Sequence, residues 1–232
     1  MKLLVVTPTR REARAIAVVR HPALCGAGSE AGARVSRRIA HDRPDLVVIA
    51  GFCGGLDPSL NAGDIVLGRQ VGNEAKSLIE PDRFLLDAVR HRLGEAGLRF
   101  VYSRLLTLDR PAATVKEKTM LCNEHGAGGV DMETWHIAEA AHKAAVPWLA
   151  LRAVVDTSGQ ALPAALRLWD PSTPEAKIVR QALARPHEWP RYLALGRHAG
   201  AAGRALAQAL GPAIAAAEAT SLFELPMVEA RP

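Results

Sequence analysis

Between Asp45 and Gly51 the chain reads Leu46-Val47-Val48-Ile49-Ala50, five apolar residues in a row, with Arg43-Pro44 before them and a glycine-rich stretch, 51–55, after them. The run is too short for a stable helix and rich in β-branched side chains, so it predicts a strand. A strand with no polar alternation is dry on both faces. That is the condition of a parallel sheet covered by helices on either side.

The flanking sequence fits that frame. Leu3–Thr7 is a second apolar run, closed by Pro8 and followed by Arg10, Arg11 and Glu12, with apolar positions at helical spacing through Val19. Ser29 is placed to cap a helix over 30–42, and 51–55 reads as a turn. Strands are predicted at 64–68, 98–102 and 105–108, helices at 81–94, 111–124 and 131–145, the last opening on acidic residues, and a strong final strand at 146–155. Strand and helix alternate through residue 156. This predicts an α/β domain with a largely parallel sheet and a ligand site at the carboxyl ends of its strands, where residues 7–12, 51–55 and 155–159 fall. After Pro163 the composition changes: Pro171, Pro174, Pro186 and Pro190 punctuate helical segments, and 199–219 is alanine-rich. This region reads as a helical tail that packs on the domain or covers the site, not as a second domain.

Composition excludes several classes. With 232 residues, 49% hydrophobic and 23% charged, the chain can bury a core without disulfides or a structural metal. Its three cysteines, Cys25, Cys53 and Cys122, show no paired or zinc-ligand spacing and fit a reducing cytoplasm. The apolar start is too short for a signal-peptide core, and 205–217 is interrupted by Gln208, Gly211 and Pro212, so no bilayer span is expected. The net charge of +5 comes from scattered arginines with only 4% aromatic residues, which argues against nucleic acid. A basic surface toward anionic lipid or a phosphorylated substrate accounts for it equally well.

No Walker loop, HExxH or GxSxG is present, and Gly26-Ala-Gly28-Ser-Glu-Ala31 satisfies only a loose dinucleotide pattern. Asp45 opens the next strand, whereas a ribose-binding acid would close it, so the glycines read as a tight turn. Three acids stand in unusual settings. Glu12 follows the first strand among arginines, Glu133 sits at a helix start, and Asp156 ends the most apolar strand. Taken singly, each has a plain alternative: a charge paired with a neighbouring arginine, a complement to the helix dipole, or an N-cap.

Taken in order, these pieces resemble the nucleoside phosphorylase and nucleosidase superfamily that includes methylthioadenosine/S-adenosylhomocysteine nucleosidases. The matching blocks are Leu3 to Glu12, the turn Cys25 to Gly28, Gly51-Phe-Cys-Gly-Gly-Leu through Gly63-Asp-Ile-Val66, Val130-Asp-Met-Glu-Thr134 and Arg152-Ala-Val-Val-Asp156. Asp156 followed by Ala161-Leu-Pro163, then Ala182-Leu-Ala-Arg-Pro186 and an alanine- and arginine-rich helix, resembles the hopanoid-associated branch, whose members are thought to remove adenine from adenosylhopane.

The resemblance implies a three-layer αβα fold with a central mixed, largely parallel sheet. Residues 1–163 would be the nucleoside-binding core and 164–232 a helical extension of the same domain. It implies an adenine-releasing N-ribosyl hydrolase with no cofactor and no metal. Asp156 would serve as the acid at purine N7, Glu133 would hold the ribose hydroxyls, and Glu12 would orient the attacking water. Gly54, Met132, Phe52 and Arg152 would contact substrate, Met132 packing against the sugar and Arg152 holding the loop around Asp156, and Gly26, Gly28 and Arg10 are the candidates for an anion site. Phe52 stands where relatives often carry a hydroxyl that helps hold phosphate, which favours water over phosphate; Val155 stands where some nucleosidases have a serine near the base. The segment 69–80 is shorter than lid-bearing loops, leaving the 5′ side open for a hydrocarbon group. The expected partner is an adenosine-type nucleoside, lipid-linked, handled by a homo-oligomer in the cytoplasm or at the inner membrane surface. Soluble nucleosides, phosphorolysis and a non-catalytic adenosine-binding protein are the alternatives.

Overall fold

The computed structural model describes residues 1–167 and 175–221; Pro171 and Pro174 lie outside them. Its eight strands are β1 (Leu3–Thr7), β2 (Ala23–Leu24), β3 (Leu46–Gly55), β4 (Ile65–Asn73), β5 (Leu78–Ile79), β6 (Phe100–Thr107), β7 (Ala127–Asp131) and β8 (Trp148–Asp156). The pairs β1–β2, β1–β3, β3–β8, β4–β6 and β6–β7 are parallel, while β3–β7, β4–β5 and β4–β8 are antiparallel. The sheet is therefore mixed, and β3, β8, β4, β6 and β7 close into a ring, because β3 pairs with β8 along its length and with β7 at its end.

The apolar run of β3 is buried on both faces, as its sequence requires. Leu46, Val48 and Ala50 join one core cluster, and Val47 and Ile49 join the other. The second cluster is covered by α2 (Glu30–Asp42) and α5 (Thr134–Lys143) through Val35, Ile39, Ile137 and Ala141. The first is covered by α1 (Arg10–Ile16), α3 (Arg83–Glu95) and α8 (Trp189–Ser221) through Ile16, Leu86, Val89, Leu206 and Leu210. Helix, sheet and helix make three layers. The remaining helices are α4 (Val115–His125), α6 (Ala164–Arg167) and α7 (Glu175–Leu183), with a 3-10 turn at Pro186–Glu188. No described helix is long and apolar enough to cross a membrane.

Several sequence expectations change. Residues 51–55 are not a turn but the end of β3, where neighbouring strands supply the hydrogen-bond partners. The segment 127–131, Ala-Gly-Gly-Val-Asp, is a buried strand, so Asp131 closes β7 and does not open α5. Residues 98–108 hold one strand, β6, with a register shift. Ser29 has helical backbone angles and its side chain makes no capping hydrogen bond. The segment 69–80 forms the end of β4 and its hairpin partner β5, and none of its residues lines the cavity at the carboxyl ends of β1, β3 and β8.

Candidate active site

At the carboxyl ends of β1, β3 and β8 lies a cavity of about 330 Å³, lined by, among others, Glu12, Phe52, Gly54, Met132, Glu133 and Asp156. Three buried carboxylates thus come together from α1, the end of β7 and the end of β8. Each is held by a different device.

Glu12 belongs to a capping box. The Thr9 hydroxyl accepts from the Glu12 amide, while the Thr9 amide donates back to Glu12 Oε2 at 2.9 Å. The other oxygen, Oε1, accepts the Phe52 amide at 2.7 Å. Burial pushes this carboxyl above the ordinary range, and the Arg152 guanidinium pulls it back. The plain alternative, a solvated charge paired with a neighbouring arginine, does not describe this side chain.

Arg152 lies beneath the cavity, fully buried on β8. Its Nε is 2.9 Å from Asp131 Oδ2, and its Nη2 is 2.9 Å from Glu133 Oε1. Nε also lies 2.8 Å from Thr134 Oγ1. Nη1 has no hydrogen-bond partner among the described residues. Asp131 is the hub of this network: Oδ1 accepts from Thr107 Oγ1 at 2.9 Å and from the amides of Glu133 and Thr134, and Oδ2 accepts from the Thr134 hydroxyl. One guanidinium therefore faces Asp131, Glu133 and Glu12. Burial pushes Glu133 well above the usual carboxylate range, Arg152 opposes this, and the nearby Asp131 and Glu12 charges add to it.

Asp156 follows a bulge in which Cys53 pairs with Val154 and Gly54 with Asp156, leaving Val155 as the extra residue. A β-carbon on Gly54 would lie 3.4 Å from both Asp156 carboxylate oxygens, so glycine there keeps that carboxylate clear. Lys118 of α4, with no exposed surface, donates to Asp156 Oδ2 and to the carbonyls of Thr157 and Gln160 at 2.8 and 2.9 Å. Burial raises the proton affinity of Asp156, and Lys118, then His198, oppose the rise.

The sequence singled out Glu12, Phe52, Gly54, Met132, Glu133 and Asp156, and the structure brings all six to one cavity; Arg152, expected at the substrate and on the loop around Asp156, lies behind them instead, bonded to Asp131, Glu133 and Thr134, while Lys118 holds that loop. It does not bring Arg10, Gly26 or Gly28 there. Arg10 is exposed on the first turn of α1, and the two glycines have φ of +77° and +72°, which is what a tight turn needs. Arg11, Ala27 and Arg110 line the cavity in their place. Asp131 and Lys118 went unrecognised in the sequence. Asp131 lies inside the Val130–Thr134 block, and Lys118 sits three and four residues before Leu121 and Cys122, on the inward face of α4.

A family model described as the phosphorylase superfamily matches residues 9–184, and the chain belongs to that family. It is similar to the 5′-methylthioadenosine/S-adenosylhomocysteine nucleosidases of Mycobacterium bovis and Mycobacterium tuberculosis, each 26% identical over 151 aligned residues, with 49% of this chain and 59% of the relative covered. The chain thus spans about three fifths of the length of these curated relatives. Among solved structures, futalosine hydrolase of Helicobacter pylori superimposes with a TM-score of 0.72 at 14% identity, covering 93% of this chain and 97% of that one. The 5′-methylthioadenosine/S-adenosylhomocysteine nucleosidase of the same organism gives 0.72 at 14% identity, covering 93% and 98%. At such identity the likeness is one of fold.

Proposed function

We propose that this protein is a nucleosidase that hydrolyses the N-ribosyl bond of a 5′-substituted adenosine and releases adenine. The observation that carries the reading is the convergence of Glu12, Glu133 and Asp156 on one cavity, with Arg152 between the first two. In this reading a water is held between Glu12 and the unpartnered Nη1 of Arg152. Its oxygen bonds to C1′ as the C1′–N9 bond breaks. The bond's electron pair goes to the purine, Asp156 supplies a proton at N7, and Glu12 takes the proton from water. Glu133 holds the ribose hydroxyls, and its ionised form is favoured as positive charge grows on the sugar.

Water suits this site better than phosphate. Asp131, Glu133 and Glu12, all buried, already share one guanidinium, so a further anion beside them would be repelled; at Glu133 the Asp131 and Glu12 charges already add to the rise in proton affinity that burial causes.

For the 5′ substituent we propose a lipid, as in adenosylhopane. Phe52, Pro111, Leu162, Leu166 and Leu195 make much of the cavity wall apolar. Nearby, Leu183, Trp189 and Leu193 are exposed among the exposed arginines 180, 185, 191 and 197, a composition suited to an anionic membrane surface. The similarity to the mycobacterial enzymes favours soluble nucleosides as the second reading. The test is mass spectrometry of the products from vesicle-borne adenosylhopane, 5′-methylthioadenosine and S-adenosylhomocysteine, with and without phosphate. Free adenine and an unphosphorylated sugar from adenosylhopane support the reading. Turnover of the soluble nucleosides alone gives precedence to the second, and a 1-phosphosugar product overturns hydrolysis.

A further inference from the structure

Lys118 has no exposed surface, yet a buried ammonium is costly unless each of its three hydrogens finds an acceptor. All three do: Asp156 Oδ2, the Thr157 carbonyl at 2.8 Å and the Gln160 carbonyl at 2.9 Å. Lys118 is absent from the cavity wall, and with its donors spent it has none to offer a ligand. It joins α4 to the end of β8 and to the turn in which the Thr157 amide also bonds the Gln160 side chain.

We propose that Lys118 is the positioning residue for Asp156: it engages Oδ2, leaves Oδ1 as the atom offered to the bound base, and governs how firmly Asp156 keeps the proton that the leaving base takes. The proposal rests on the nucleosidase reading for its catalytic meaning, but its electrostatic core stands on the contacts alone. Around Asp156, Lys118 comes from α4, His198 and Arg191 from α8, and the buried Cys53 thiol from β3, while Asp131 and Glu133 stand at the end of β7 on the same cavity. Lys118 is the only one of these in hydrogen-bond contact with the Asp156 carboxylate among the described residues. Once Asp156 has given its proton to the base, it is a carboxylate beside a fixed ammonium. Without that ammonium it becomes a weaker acid, so proton release to the base slows while the protonated form persists to higher pH.

The experiment is a carboxyl-13C NMR titration of aspartate-labelled full-length protein, with the Asp156 signal assigned by its loss in Asp156→Asn. In Lys118→Gln, which keeps two donors for the turn carbonyls but no charge, the Asp156 midpoint should rise by at least one pH unit. In Lys118→Arg it should stay within half a unit of wild type. The alkaline limb of kcat/KM should move with the midpoint in Lys118→Gln, with kcat at least tenfold lower. A midpoint unmoved in Lys118→Gln overturns the proposal and leaves Lys118 as a clamp on the turn. Should Lys118→Gln fail to fold, the wild-type Lys118 15N signal decides: a shift sharing the Asp156 midpoint supports the pairing, and no shared midpoint overturns it. The titration needs no substrate. A wild type that cleaves no nucleoside therefore fails the nucleosidase reading without deciding this one.

Discussion

Glu12 and Arg152 meet over the bare α-carbon of Gly51: a β-carbon there would lie 2.7 Å from Glu12 Oε1, 3.1 Å from Pro8 Cδ and closer still to Arg152 Nη1. The absence of one methyl group thus permits a carboxylate and a cation from distant parts of the chain to share a single small space. Gly51→Ala should shift both groups at a cost of about 1–3 kcal/mol in stability, the usual size for overpacking. It should also lower kcat/KM for base release by at least a hundredfold. Calorimetry and steady-state kinetics on the same preparation check this, and an alanine variant with wild-type turnover would remove the Glu12–Arg152 space from the mechanism.

The buried acids also set how stability responds to pH. Glu12, Glu133 and Asp156 all bind protons more tightly in the folded state than ordinary carboxylates do, so the folded chain holds more protons than the unfolded one above the usual carboxylate range. Stability is then greatest toward the lower end of that window and falls as pH rises through the raised folded values. We expect a higher Tm at pH 5.5 than at pH 7.5, and a flatter dependence in Glu133→Gln, whose amide does not titrate. A wild-type Tm that climbs between those two pH values contradicts a raised proton affinity for these three acids.

What the sequence makes legible follows from where side chains carry a pattern. The dry run Leu46 to Ala50 announces a doubly covered strand because every residue in it is apolar. The continuation through Gly51–Gly55 and the strand Ala127–Asp131 carry glycines where side chains would otherwise show a period, and pairing with neighbouring strands is what makes them extended. The acids Glu12, Glu133 and Asp156 stand out by position in their motifs, but Asp131 passes as a helix-opening charge until Thr107 and Arg152 are seen against it. Lys118 is hidden for another reason: Val115 and Met120 of the same helix are exposed, so a lysine among them reads as solvated. Its partners lie in a turn that no local pattern in α4 foretells.

Replacing Asp156 isolates the proposed acid. Asp156→Asn keeps an oxygen toward Lys118 but has no proton of carboxylic strength, and turnover should fall by roughly a hundred- to ten-thousand-fold. A discontinuous assay for free adenine in phosphate-free buffer reads the change, and turnover near that of wild type would exclude Asp156 from proton donation.

The exposed apolar residues of the C-terminal region permit a test of membrane contact that spares the site. Tyr192 is half-buried with its hydroxyl enclosed, and Leu195 lines the cavity, so neither suits the purpose. Leu183 and Leu193 are 64% and 63% exposed. The double change Leu183→Ser and Leu193→Ser should weaken sedimentation with vesicles of anionic phospholipid by fivefold or more, and slow turnover of vesicle-borne substrate, with a short soluble analogue still cleaved at the wild-type rate. Equal vesicle binding by variant and wild type would assign these residues no part in lipid contact.

The closed ring of strands carries a liability during biosynthesis. β8 lies between β3 and β4, parallel to one and antiparallel to the other, yet it follows both by a long stretch of chain. Until β8 has been made, β3 and β4 each present an open, strongly apolar edge, the kind of surface on which unfinished chains join to one another. Pairings so distant in sequence also form slowly, because the intervening loop must be closed before it is rewarded. A nascent copy of this protein is thus most prone to aggregate in the interval between emergence of Leu46–Gly55 and emergence of Trp148–Asp156, and its yield in cells should respond to chaperone supply more than to its final stability.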